Sequence, residues 1–137
     1  MVADDDLRRK YEDTLSGHVI MVRGDELGGS NQTVVYLKFE PYHFDHLLGR
    51  NSRWHEEKRS ILPTLLVPQN WKMFGTYIDN MGDRLNADIL VGTTSGCFGF
   101  REYDNEDGLY YPCTCLMGDI RDLIYKPYHR INAIEYR

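Results

Sequence analysis

His43 and His46 stand three residues apart in the stretch Lys38-Phe39-Glu40-Pro41-Tyr42-His43-Phe44-Asp45-His46-Leu47-Leu48-Gly49. That spacing puts both imidazoles on one face of a single helical turn. An unperturbed histidine titrates at ~6.5, so the pair suits proton transfer near neutral pH. A β run over 33–37 precedes the turn, and strand ends are where folds hold working residues on a rigid base. The competing account is a satisfied structural histidine, stronger for His43 than for His46. A metal site built from His43, His46 and Asp45 has a thin basis, because no third ligand has motif spacing and no His-Glu-x-x-His pattern is present.

Other residues offer anion chemistry. Arg50, Arg53 and Trp54 directly follow the histidine turn, in a polar run over 50–59 that carries both charge signs. A guanidinium recognises phosphate bidentately and an indole stacks a base. The plain account of such a run is a solvated loop or exposed helix.

The elements that must position these groups are readable in part. Acids at 4–6 and Gly17 bracket a short helix whose Leu7, Tyr11 and Leu15 form one narrow docking stripe. Strands are expected over 18–23, 33–39, 89–92, 97–103 and 109–111, with 131–136 alternating cleanly as a last one. Trp71, Phe74, Tyr77 and Ile78 share helical spacing, so 71–78 is expected to be a core helix, and 118–123 a second short one. No βαβ rhythm, repeat or low-complexity segment appears. The expectation is a single α+β domain over 1–137, with N-terminal helices packed on a mainly antiparallel sheet of about four or five strands.

Composition narrows the partners. Sixteen Lys and Arg against 21 Asp and Glu leave a net charge of −5, so overall charge gives no pull toward nucleic acid and a local basic patch would be needed. Three cysteines, Cys97, Cys113 and Cys115, without a Cys-x-x-Cys pair argue against a disulfide framework or a cysteine-built zinc site. No apolar run reaches the ~20 residues of a membrane span, and the first residues lack the basic-then-apolar pattern of a signal peptide. A cytoplasmic chain, or a piece delivered within a larger protein, is expected.

The segment Phe44-Asp45-His46-Leu47-Leu48-Gly49 after a strand, Lys72 further on, and Tyr111-Pro112-Cys113-Thr114-Cys115-Leu116 before a terminal strand resemble a nuclease-like family. It is the phage-associated branch of the barnase, EndoU, colicin and RelE (BECR) group, and the likeness is greatest to its fourth phage-borne subfamily. The resemblance spans about 33–137. Where that pattern often carries Thr before the glycine, this chain has Leu48.

The resemblance implies a helical N-terminal part on a four-stranded antiparallel sheet, and RNA cleavage without metal or cofactor. It further implies a toxin or effector of a phage or mobile element, acting on RNA (a tRNA among the candidates) in a bacterial host cytoplasm and open to an immunity protein. Carried over by position, His46 is general base or acid, Thr114 bonds a phosphate oxygen, and Lys72, on a helix, stabilises charge. Arg50, Arg53 and His43 are candidates for substrate contact. The chemistry is consistent with these types: the ribose 2′-hydroxyl is an internal nucleophile, so a base, an acid and a cation suffice.

A different class stays open. Ten tyrosines and an acidic balance also suit an inactive α+β module that binds a host protein. The nuclease reading requires at least two of Arg50, Arg53, Lys72, Arg101 and Arg121 around His46, whereas an acidic or flat apolar surround favours the binding module.

Overall fold

The computed structural model describes residues 3–49, 52–78 and 87–137. Among them, the elements run α1 (Asp4–Thr14), β1 (Val19–Glu26), β2 (Gln32–Lys38), α2 (His43–Leu48), α3 (His55–Leu65), β3 (Met73–Thr76), β4 (Ile89–Gly92), β5 (Gly96–Glu102), β6 (Leu109–Met117) and β7 (His129–Tyr136). Single 3₁₀ turns lie at Pro68–Asn70 and Ile120–Asp122. The class is α+β, as expected. The sheet is larger than expected: seven strands close into a barrel in the order β1-β2-β6-β5-β4-β3-β7, with β7 returning to β1. All pairs are antiparallel except β2 with β6, which run parallel through Tyr36–Leu109 and Leu37–Tyr110.

Part of the difference comes from 71–78, whose middle, Met73–Thr76, forms β3 and not a helix. Its apolar residues serve two faces of a strand: Phe74 enters the main core, while Met73 and Tyr77 join a second cluster with Leu90, Cys97, Ile120 and Ile124. Gly75 interrupts that alternation in the sequence because the site has no room for a side chain. A Cβ there would sit 3.0 Å from Ile124 Cδ1 and 3.1 Å from Tyr128 Cβ. The segment 118–123 keeps only the turn Ile120–Asp122, whose start is capped by Asp119 accepting from Arg121 N at 2.9 Å.

The main core runs from the barrel into the helices. Phe39, fully buried at the end of β2, has ring contacts with Tyr11, Trp71, Phe98 and Phe100 at centroid distances of 5.7–6.3 Å. The α1 stripe docks as its spacing predicts, with Leu7, Tyr11 and Leu15 all buried. The Tyr11 hydroxyl donates to the Glu40 carbonyl, an Asp4–Arg59 ion pair at 2.8 Å ties α1 to α3, and Arg8 pairs with Asp45 of α2. Helices α2 and α3 pack against β6 and against each other. That packing decides where the candidate residues meet.

Candidate functional site

Phe39 anchors the chain as it leaves the barrel. Its N–H donates to His18 O at 3.0 Å, and its carbonyl accepts from Gly17 N at 2.8 Å. Three residues later the backbone enters α2 through a reciprocal pair: Glu40 N donates to His43 Nδ1 at 3.0 Å, while His43 N donates to Glu40 O at 3.1 Å. Nδ1 is therefore an acceptor, and the neutral ring carries its proton on Nε2. His43 is buried, stacked on Tyr111 at 6.0 Å and edge-on to Tyr42 at 4.5 Å. Burial lowers its pKa, with nearby Glu40 pulling the other way and His46 adding to the fall.

The sign of that shift gives a stability prediction. A histidine whose folded pKa lies below its unfolded ~6.5 is charged first in the unfolded chain. The stabilisation is complete above that value and declines as pH falls from there toward the folded pKa. The melting temperature of the wild type should therefore drop between pH 7.5 and pH 5 by more than that of His43→Gln. Equal drops in the two proteins would contradict the account.

His46, one turn on, is exposed. It opens on a cleft of about 570 Å³ whose walls include Tyr42, His43, Glu102, Tyr103, Asp104, Tyr111 and Cys113. Glu102 is held by accepting from Gly108 N at 2.7 Å, which also ties down the turn between β5 and β6. Burial raises the Tyr103 pKa, and the charges of Tyr42 and Glu40 raise it further, so its phenol stays protonated. Burial likewise pushes the Cys113 thiol up to about 11, which removes it as a neutral-pH nucleophile. Among the described residues, no group of three or more His, Cys, Asp or Glu is arranged to hold a metal ion.

The charge expected around His46 is not found there: the described lining carries Glu102 and Asp104 but no Arg or Lys. Lys72 lies exposed just before β3, where its N donates to Gly92 O at 2.8 Å and its O accepts from Ile131 N at 2.8 Å. It precedes a strand rather than sitting on a helix, and β3 is three strands from β6 in one direction and three from β2 in the other. Arg121 is engaged by Asp119 at 2.6 Å, and Arg101, whose charge reaches Cys113, does not line the cleft. Arg53 stacks over Trp54 at 4.6 Å and does not line the cleft, and Arg50 lies outside the described residues.

Thr114 does come close. It is on β6, directly after Cys113 of the cleft wall, and lines a neighbouring groove of about 400 Å³ with Trp54, Glu57, Lys58, Leu116 and Met117. Here Lys58 Nζ donates to Thr114 Oγ1 at 3.3 Å. A register shift opposite Gly99/Phe100 makes Cys113 the extra residue between Pro112 and Thr114, so a bulge separates the cleft from the groove. Bulges of this kind re-aim side chains beside functional sites, and proline in a strand is found at such irregularities.

The sequence reading missed Lys58, Tyr42, Tyr103, Tyr111 and Glu102. A signal for Lys58 existed. It precedes Ile61 and Leu62 by three and four residues, so it continues the buried stripe of α3 where a merely solvated lysine would not. Gly49, at φ 61°, ends α2 beneath it, and a Cβ there would stand 2.7 Å from Lys58 Cδ. The lysine stem is thus laid over the helix end. Tyr42 adjoins His43 in sequence, whereas Tyr103, Tyr111 and Glu102 come from separate strands and loops that no local spacing links to the histidines.

No helix among the described residues is long and apolar enough to cross a membrane. No family model, no curated protein and no solved structure matches this chain.

Proposed function

We propose that this chain is a metal-independent ribonuclease-like domain, a toxin or effector of a phage or mobile element that cleaves RNA through the ribose 2′-hydroxyl in a bacterial host cytoplasm. The observation that carries the reading is that His46 and Thr114, distant in sequence, flank the same short stretch of β6, with Lys58 held on Thr114 at 3.3 Å. A proton carrier, a hydroxyl and a cation are the minimum for this chemistry. His46 serves as general base or acid, and Glu102 is the carboxylate available for the complementary transfer. Lys58, in the role assigned by resemblance to Lys72, stabilises the charge that develops on the phosphorane. Thr114 orients a phosphate oxygen and His43 holds the turn.

The described lining around His46 is acidic where the ribonuclease reading required at least two of Arg50, Arg53, Lys72, Arg101 and Arg121, and that charge favours a second reading, the binding module. Glu102 and Asp104 among the rings of Tyr42, Tyr103 and Tyr111 form a cage suited to an ammonium or guanidinium, as on a basic segment of a host or immunity protein. The two readings part on one gel. End-labelled RNA should be cut in EDTA to give 2′,3′-cyclic phosphate or 3′-phosphate ends, and DNA of the same sequence should stay intact. Cleavage of DNA, or activity abolished by EDTA and restored by Mg²⁺ or Zn²⁺, would overturn the ribonuclease reading. Intact RNA together with tight binding of an arginine-rich peptide would favour the binding module.

A further inference from the structure

We infer that the groove between α3 and β6 is a nucleotide subsite, in which the Trp54 indole stacks a base and Lys58 takes the adjoining phosphate. The inference deepens the RNA reading of the neighbouring cleft and rests on it. Trp54 leaves half of its surface, 51%, in solvent at the groove edge, whereas Trp71, the other tryptophan, is only 2% exposed. An indole left out of a core that has room for Phe39, Trp71, Phe98 and Phe100 is available for stacking. The Arg53 guanidinium lies 4.6 Å from the Trp54 ring centroid and sets a second cation beside it. Across the groove, Leu116 and Met117 (52% exposed) give an apolar wall for the flat face of a base.

Lys58 supplies the anion contact. Its stem is fixed over Gly49 and its head reaches Thr114, so the ammonium is already in place when a ligand arrives. No carboxylate of the described residues stands within ion-pair distance of it, although Glu57 lines the same groove. A volume of about 400 Å³ fits one small ligand and not a folded partner. Charge would admit an acidic peptide as well, but a flat indole opposite an apolar wall suits a base better than a carboxylate side chain. The subsite adjoins the His46 cleft across the Cys113 bulge, so a chain seated with one base on Trp54 presents the phosphate held by Lys58 to the side of the bulge where His46 lies.

The test is fluorescence titration of the whole chain with adenosine 5′-monophosphate, adenosine, inorganic phosphate and a short acidic peptide. The monophosphate should quench Trp54 saturably, adenosine more weakly, and phosphate and peptide not at all. Lys58→Met, which keeps the stem over Gly49, should weaken the monophosphate by about 10- to 100-fold with little change in melting temperature. Trp54→Ala should raise KM for RNA by about 5- to 150-fold. The inference is overturned if the monophosphate gives no saturable quenching, if the acidic peptide or phosphate alone quenches as well, or if Lys58→Met binds unchanged. Nucleotide binding without any RNA cleavage would sink the ribonuclease reading and leave the subsite standing. Cleavage by Trp54→Ala at wild-type KM would do the reverse.

Discussion

His46→Ala should lower RNA cleavage by about 10²–10⁴-fold while leaving the melting temperature nearly unchanged. Both halves follow from the position of the side chain. His46 is exposed on α2 beside the cleft, while the packing of that short helix comes from Phe44, Leu47 and Leu48, all fully buried. Removing an exposed imidazole therefore takes away a proton carrier and no core contact. A structural histidine would behave differently, costing about 1–3 kcal/mol through lost packing or an unpaired partner. Kinetics and thermal unfolding of the one variant separate these outcomes. A stability loss of that size with cleavage unchanged would remove His46 from the site.

The largest effect on the fold is expected at Phe39. Phe39→Ala should destabilise the protein by about 3–5 kcal/mol and lower the melting temperature by roughly 10–20 °C. The ring is fully buried and meets Tyr11 of α1, Trp71 beside β3, and Phe98 and Phe100 of β5. Deleting it opens a cavity between helices and barrel that no single neighbour can fill. Because the next residues lead directly into the His43 turn, the same change should loosen the cleft. A loss below about 1 kcal/mol in denaturant titration would contradict the central place assigned to this ring.

How far the sequence reads out the structure differs element by element. The α1 stripe, the His43–His46 turn closed by Gly49, and the alternating last strand are set by local spacing and caps, and they stand where spacing puts them. The barrel was not legible as a barrel. Its closure depends on β7 pairing with both β1 and β3, and on one parallel pair between β2 and β6, and such long-range pairings leave no local pattern. β3 was concealed for a physical reason: Gly75 breaks its alternation, and Phe74 and Tyr77 serve clusters on opposite faces.

The site divides in the same way. His46 and Thr114 are visible in short motifs. Apart from Tyr42, which adjoins His43, the groups that give the cleft its character are assembled by tertiary packing of α2, the β5–β6 turn and β6, so Glu102, Tyr103 and Tyr111 could not be found from spacing. Charge was the largest departure. The cations nearest His46 in sequence are directed elsewhere or lie outside the described residues, and the one that contacts Thr114 comes from a helix face that composition alone marks as solvated.

In the proposed reaction the ribose 2′-hydroxyl is the nucleophile. The most direct measurement maps the cut in an end-labelled RNA and then replaces only the ribose 5′ to that cut with its 2′-deoxy form. Cleavage at that position should disappear in EDTA-containing buffer while cuts elsewhere in the same strand persist, because only the internal nucleophile has been removed. Unchanged cleavage at the deoxy position would mean that water or a protein group attacks the phosphorus, and would contradict the account.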